Sequence, residues 1–327
     1  MTPPASGHRD PLTELPPGPL VPASQSIARA RRSFETAIGD MLAVPDGALE
    51  GPWRWRPDDP DDADVRYGLY RIHEALEESV GAVARGRAAI GDPVAPAVPP
   101  LAAAALARWV LHGTVAPLTT GELDSDPGGG EWSVRRTLGH VLSVQESYGW
   151  TSAWFISRAG KPDAGEYAPP GALPTEPDEE TAASGDTAEI RARLDGLLDA
   201  AGEAFGGLDE RALSVPGRWS GLPVTIGFRL GRLGSHIREH TVQVDKTLVM
   251  IGRPMSEVER LVRLAAESYG RLEAMVFARP AADAERRFAD GSSAASILEA
   301  GAAEAARLAR SVREAAGQAP GAAPRVT

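Results

Sequence analysis

In segment after segment of this 327-residue chain the apolar residues recur at intervals of three and four, and no stretch alternates apolar with polar residues for long enough to make a strand. Such a chain buries its apolar stripes by packing helix on helix, so the predicted fold class is all-α. Ile27, Ala30, Phe34, Ile38, Met41 and Leu42 mark a helix from Ser24 to Leu42. Tyr67, Leu69, Ile72, Leu76, Val80 and Val83 mark another from about Val65 to Ile90, stopped by Gly91-Asp92-Pro93. After a proline-stiffened connector, 94–100, an Ala-rich helix with Trp109 and Val110 runs from Leu101 to about Val115. Ser133 is placed to cap a helix from Val134 to Ser157, and Thr187 to Phe205 is helical through Ile190, Leu194 and Leu198. Leu222 to Val249 reads as one long helix, Ser256 caps a helix through Arg279, and a last helix spans Ser293 to Ala316.

The segments between helices are polar. Trp53 and Trp55 are expected to dock on the domain while the acidic run from Asp58 to Asp64 stays in water. Residues 159–186, rich in Pro, Gly, Asp and Glu, read as a long loop and a mobile cover. Gly130-Glu131-Trp132-Ser133 and Gly217-Arg218-Trp219-Ser220 both read as polar turns leading into a helix, as in a bundle of two helical hairpins. Residues 1–23, with His8, and 317–327 cannot bury enough apolar surface to offset the entropy of ordering and read as disordered tails.

Composition excludes several function classes. With 34 basic and 45 acidic residues the chain carries a formal charge of −11 and no basic run, so nucleic acid is not an expected partner. The stretch before Pro22 lacks an apolar run, so neither a signal peptide nor a membrane anchor is expected, and the predicted location is cytoplasmic. Cysteine is absent, which removes disulfides, thiolate ligands and a protein thiol nucleophile. Any thiol chemistry must come from a bound small molecule. Abundant Ala, Arg, Gly and Pro with few Lys and Asn point to a GC-rich bacterial genome.

The residues richest in chemistry lie in His236-Ile237-Arg238-Glu239-His240-Thr241-Val242-Gln243. Side chains four apart on a helix have Cβ atoms about 5–6 Å apart, so His236 and His240 can present two imidazoles to one point. Catalytic zinc normally takes three protein ligands and keeps one position open. Among the other histidines, His140 lies inside a long helix flanking the 159–186 loop, while His73 and His112 have no histidine at helical spacing. The spacing leaves two readings: a divalent-metal site of His140, His236 and His240, or a solvated pair with His140 hydrogen-bonded in the core.

Trp132-Ser133 followed by His140 on one helix, and His236 to Gln243 on a later one, resembles the DinB superfamily. That group includes DinB-like and YfiT-like metal-dependent hydrolases, mycothiol-dependent maleylpyruvate isomerases and bacillithiol S-transferases. The resemblance covers roughly Leu101 to Arg279 and implies a four-helix bundle, here with additional N-terminal and C-terminal helices. It implies that His140, His236 and His240 hold a divalent ion, zinc first, with nickel, iron or manganese as alternatives. On this reading 24–95 is an N-terminal helical extension and 96–316 is the metal-binding bundle.

Around the site, Arg229, Arg232 and Gln243 share or border the stripe of His236 and His240, and Ser143 and Ser147 share that of His140. The two arginines are candidates for an anionic substrate, with a solvated helix face as the alternative. Glu239 and Glu146 read as partners of the histidines or as solvent-facing, and Trp150 and Trp154 as cavity lining or core. The expected function is a metal-dependent S-transferase or isomerase using a low-molecular-weight thiol such as mycothiol and a small-molecule substrate. The alternatives are a hydrolase using activated water and a non-catalytic ligand- or protein-binding module. Neither a membrane nor nucleic acid is expected as a partner, and the oligomeric state is left open.

Overall fold

The computed structural model describes residues 24–56 and 63–318. Both terminal tails as far as 23 and from 319, His8, and the acidic run from Asp58 to 62 lie outside the described residues. Helix α1 (Ser24–Leu42) leads through a short 3-10 turn to the two-residue strands β1 (Pro52–Trp53) and β2 (Ala63–Asp64). Next come α2 (Val65–Ile90), α3 (Val98–Val115), α4 (Thr120–Asp124), α5 (Val134–Ser157), α6 (Glu179–Ala182), α7 (Thr187–Phe205) and α8 (Glu210–Leu213). Strands β3 (Pro216–Trp219) and β4 (Leu222–Thr225) precede α9 (Ile226–Met250), α10 (Glu257–Ala274), α11 (Ala281–Ala284) and α12 (Ala294–Gln318).

The helical reading holds, with four adjustments that have local causes. Helix α3 begins at Val98, so Pro99 and Pro100 sit in its first turn, where a missing N–H removes no helical bond. Two antiparallel hairpins, β1–β2 and β3–β4, accompany the helices. In the second, Trp219 pairs with Leu222 across Ser220 (φ 47°) and Gly221 (φ 83°), a two-residue loop with both residues left-handed. Trp219-Ser220 is therefore a hairpin turn rather than a helix lead-in, whereas Ser133 does cap α5 through the Arg136 amide, and α9 starts at Ile226 behind a Thr225 cap. Lastly, α10 ends at Ala274 instead of Arg279, because the chain turns there to bury Phe277 and Ala278, the latter at φ 58°.

The helices pack as two groups of four. In one, α3 lies against α9 and α7, and α5 lies against α7 and α9, which closes a ring. In the other, α10 lies against α2 and α1, and both of these lie against α12. Trp53 of β1 is buried beside this second group and donates its indole N–H to Ser311 Oγ at 3.1 Å.

The groups meet where α3 crosses α10, and the crossing is too close for side chains. A Cβ on Gly113 would stand 2.8 Å from both the Arg263 Cα and the Ala266 Cβ, and one on Gly270 2.8 Å from the Trp109 Cβ. We expect Gly113→Ala to destabilise the protein by about 1–3 kcal/mol through overpacking. The same change at Gly39 of α1, where an added methyl meets nothing within 4 Å, should be neutral or stabilising. Urea denaturation of the two variants checks the difference.

Beside this crossing sits a buried ionic cluster. Arg31 of α1 donates to Asp199 of α7 at 2.7 and 2.8 Å and to Glu273 of α10 at 2.9 and 3.1 Å. Glu273 also accepts from Arg108 and, at 3.0 Å, from the Trp109 indole, both on α3. Burial by itself would push the Glu273 carboxyl up, but the guanidiniums of Arg31 and Arg108 outweigh it and hold it at about 2. Among the described residues no helix is long and apolar enough to cross a membrane.

Candidate metal centre

Helices α5 and α9 face each other in the first ring and bring three imidazoles to one point. His236 and His240, one turn apart on α9, have ring centroids 4.3 Å apart, and His140 of α5 lies 5.2 and 4.8 Å from them. One nitrogen from each ring falls within 4.8 Å of the others. The two α9 rings present Nε2 to Nε2 at 3.0 Å. Two nitrogens bound tetrahedrally to one zinc ion at 2.0–2.1 Å lie about 3.3 Å apart, so this pair needs a shift of only a few tenths of an ångström.

The outer nitrogens fix which atoms face inward. Glu179 Oε1 accepts from His140 Nδ1 at 3.0 Å, and Gln243 Oε1 accepts from His240 Nδ1 at 2.8 Å. A carboxylate or amide oxygen can only accept, so each Nδ1 is the donor to its partner and each Nε2 is the nitrogen left to face the common point. His236 is 5% exposed and its Nδ1 is buried without a partner. Burial, then the neighbouring His240 and His140, pushes its pKa down to about 3, and burial followed by His140 lowers that of His240 against the Gln243 bond. Two uncharged imidazoles with a pair of Nε2 atoms nearly in contact are a donor set that fits a divalent cation.

The structure separates the other candidate residues. Gln243 engages His240 directly. Arg232 makes a two-pronged pair with Glu239 at 2.7 and 2.9 Å and lies over the Trp219 ring, so its charge is already balanced. Glu239 therefore holds an arginine rather than a histidine. Arg229 is buried with neutral partners, Ser152 Oγ at 3.0 Å and the Arg218 carbonyl at 2.6 Å, between the rings of Tyr148 and Phe155. Burial pushes its pKa down to about 10. The Tyr148 ring lies 5.8 Å from that of His236, which joins Arg229 to the histidines through one side chain. Ser143 donates to Glu176 Oε2 at 3.3 Å, and Ser147 is half-buried one turn further on. Trp154 packs against the core. Of the remaining histidines, His73 bonds Ser268 Oγ and His112 is enclosed in the core of α3.

Glu179 is the partner that spacing could not reveal. It lies 39 residues from His140 in a segment without periodicity, and its only local signal is the Asp178 cap of a single helical turn. That turn, α6, belongs to the 159–186 cover, which is tied down at several points. Arg135 donates to the carbonyls of Ala183 and Gly185, Gly221 donates to the Tyr167 hydroxyl, and Arg218 donates to the Gly165 carbonyl.

A family model described as DinB superfamily matches residues 103–244. No curated protein and no solved structure gives a significant match. The matched span holds α5, α9 as far as residue 244, and all three converging histidines together with Glu179 and Gln243. Residues 103–244 are a DinB superfamily domain whose three-histidine cluster has the form of a metal site.

Proposed function

We propose that this chain is a metal-dependent enzyme in which His140, His236 and His240 hold a divalent ion, zinc first, and that it transfers or isomerises through a low-molecular-weight thiol of the mycothiol type. The observation that carries the metal is the approach of His236 and His240 Nε2 to 3.0 Å with their outer faces occupied or buried. A divalent ion held by neutral ligands supplies undiminished positive charge, which favours the anion of a thiol or water beside it. A thiol from outside the chain is required because the sequence contains no cysteine. Water is the weaker choice of nucleophile, since the nearby carboxylates are engaged: Glu179 with His140 and Arg136, Glu239 with Arg232, and Glu176 with Ser143. Arg229, with only neutral hydrogen-bond partners, is assigned to an anionic group of the substrate, and Arg232 is not.

Protein purified without a histidine tag is expected to contain about one divalent ion per three-histidine site. Loaded with zinc, it should consume a small electrophile only when mycothiol or another small thiol is supplied. Turnover of the electrophile without any thiol would overturn the thiol assignment, and an absence of bound metal would overturn the metal assignment.

A further inference from the structure

The cover does more than lie across α5. Five α5 positions, Arg135, Arg136, Gly139, His140 and Ser143, meet the cover between Glu176 and Gly185. They recur at the three- and four-residue spacing of one helix face. Glu179 stands at their centre, its Oε1 accepting from His140 Nδ1 at 3.0 Å and its Oε2 from Arg136 Nε at 3.1 Å. The Arg136 guanidinium is itself placed 4.7 Å from the Trp132 ring centroid, and that ring meets His140 edge-on at 5.2 Å. Carboxylate, guanidinium and indole together leave the His140 ring one orientation, with its Nε2 turned toward α9.

Backbone makes the same contact independently. A Cβ at Gly139 would lie 1.8 Å from the Glu179 carbonyl oxygen and 2.6 Å from its carbonyl carbon. The residue just before the α5 histidine therefore has to be glycine for α6 to reach its place. Ser143 bonding Glu176 on one side, and Arg135 bonding Ala183 and Gly185 on the other, hold the two ends of the seated turn.

We infer that α6 is a working part of the metal centre: Glu179 is the positioning residue of His140, and seating of the 159–186 cover and retention of the divalent ion are one coupled equilibrium. This rests on the reading of the three histidines as metal ligands. A carboxylate behind a ligating imidazole fixes its tautomer and raises its basicity, and removing such a partner typically lowers metal affinity 10–100-fold. Coupling between two sites is reciprocal, so an ion that needs the seated cover must also hold the cover down.

Zinc affinity by chelator competition, with far-UV circular dichroism as the check on folding, tests this in the full chain. Glu179→Ala should bind zinc about 10–100-fold more weakly, and Glu179→Gln, which keeps an acceptor oxygen, should recover part of the loss. Gly139→Ala, which alters no ligand and no polar group, should weaken zinc through the displacement of α6, while Glu180→Gln on the exposed side of the same turn should not. Zinc should also slow hydrogen exchange across 159–186 in the wild type and much less in Glu179→Ala. Wild-type affinity in both Glu179→Ala and Gly139→Ala would overturn the inference and leave the metal site standing. A wild-type protein that binds no zinc, nickel, iron or manganese would overturn both.

Discussion

Glu273→Gln is expected to lower the unfolding free energy at pH 7 by about 3–5 kcal/mol, the usual cost of removing one charge from a buried ionic group. The carboxylate is fully enclosed and answers two arginines and an indole, so the variant leaves Arg31 and Arg108 buried with too little negative charge. Asp199 continues to pair with Arg31 and Asp195 with Arg108 at 3.1 Å, but both are more exposed than Glu273, and neither replaces the enclosed carboxylate that the two arginines share. The sign with pH follows from Glu273 itself. Its folded value, about 2, lies below its ordinary 4.5, so the contribution is complete above pH 4.5 and is lost as pH falls toward 2. The gap in urea midpoint between wild type and variant should therefore be widest at neutral pH and should shrink between pH 4.5 and 3. A gap that is constant over that range, or absent at pH 7, would show that the cluster contributes nothing through this charge.

His236→Ala should lower zinc affinity by 100-fold or more, since even the loss of an outer partner of a ligating imidazole costs about 10–100-fold. His236 is the most enclosed of the three rings, and its Nδ1 makes no hydrogen bond that the fold depends on. The variant should thus keep its helical content while losing metal, as read by elemental analysis and circular dichroism on the same sample. Unchanged metal content would remove His236 from the ligand set.

The helices were legible because each carries its own period. Phe34, Ile38 and Met41, or Leu194, Leu198 and Ala201, announce a buried stripe without reference to any other part of the chain. The histidine pair on α9 was legible for the same reason, and His140 became so through its place after Trp132-Ser133. What no periodicity encodes is pairing between distant elements. Nothing local ties Glu179 to His140, and the cover looked structureless because α6 is a single turn held by tertiary contacts. The β3–β4 hairpin has no legible pattern because Pro216 and Pro223 interrupt its alternation and its turn relies on Ser220 adopting a left-handed backbone. The arginines on α9 are equivalent on a helical wheel, and tertiary partners distinguish them: Ser152 and the hairpin carbonyl for Arg229, Glu239 for Arg232.

The packing of α1 and α2 with α10 and α12 has a consequence for the order of assembly. The domain at 103–244 lies between these two pairs in the chain, so the helices on one side of it cannot bury their stripes against their neighbours until those on the other side exist. The ring helices α3, α5, α7 and α9 follow one another between 98 and 250, and only the face of α3 that meets α10 waits for later chain. During synthesis from the N-terminus, α1 and α2 must stay unpaired while the histidine-bearing ring already has all its parts. Closure by α10 and α12 then comes last, and the contact of α10 with α3 both covers the open face of the ring and joins the waiting pair to it.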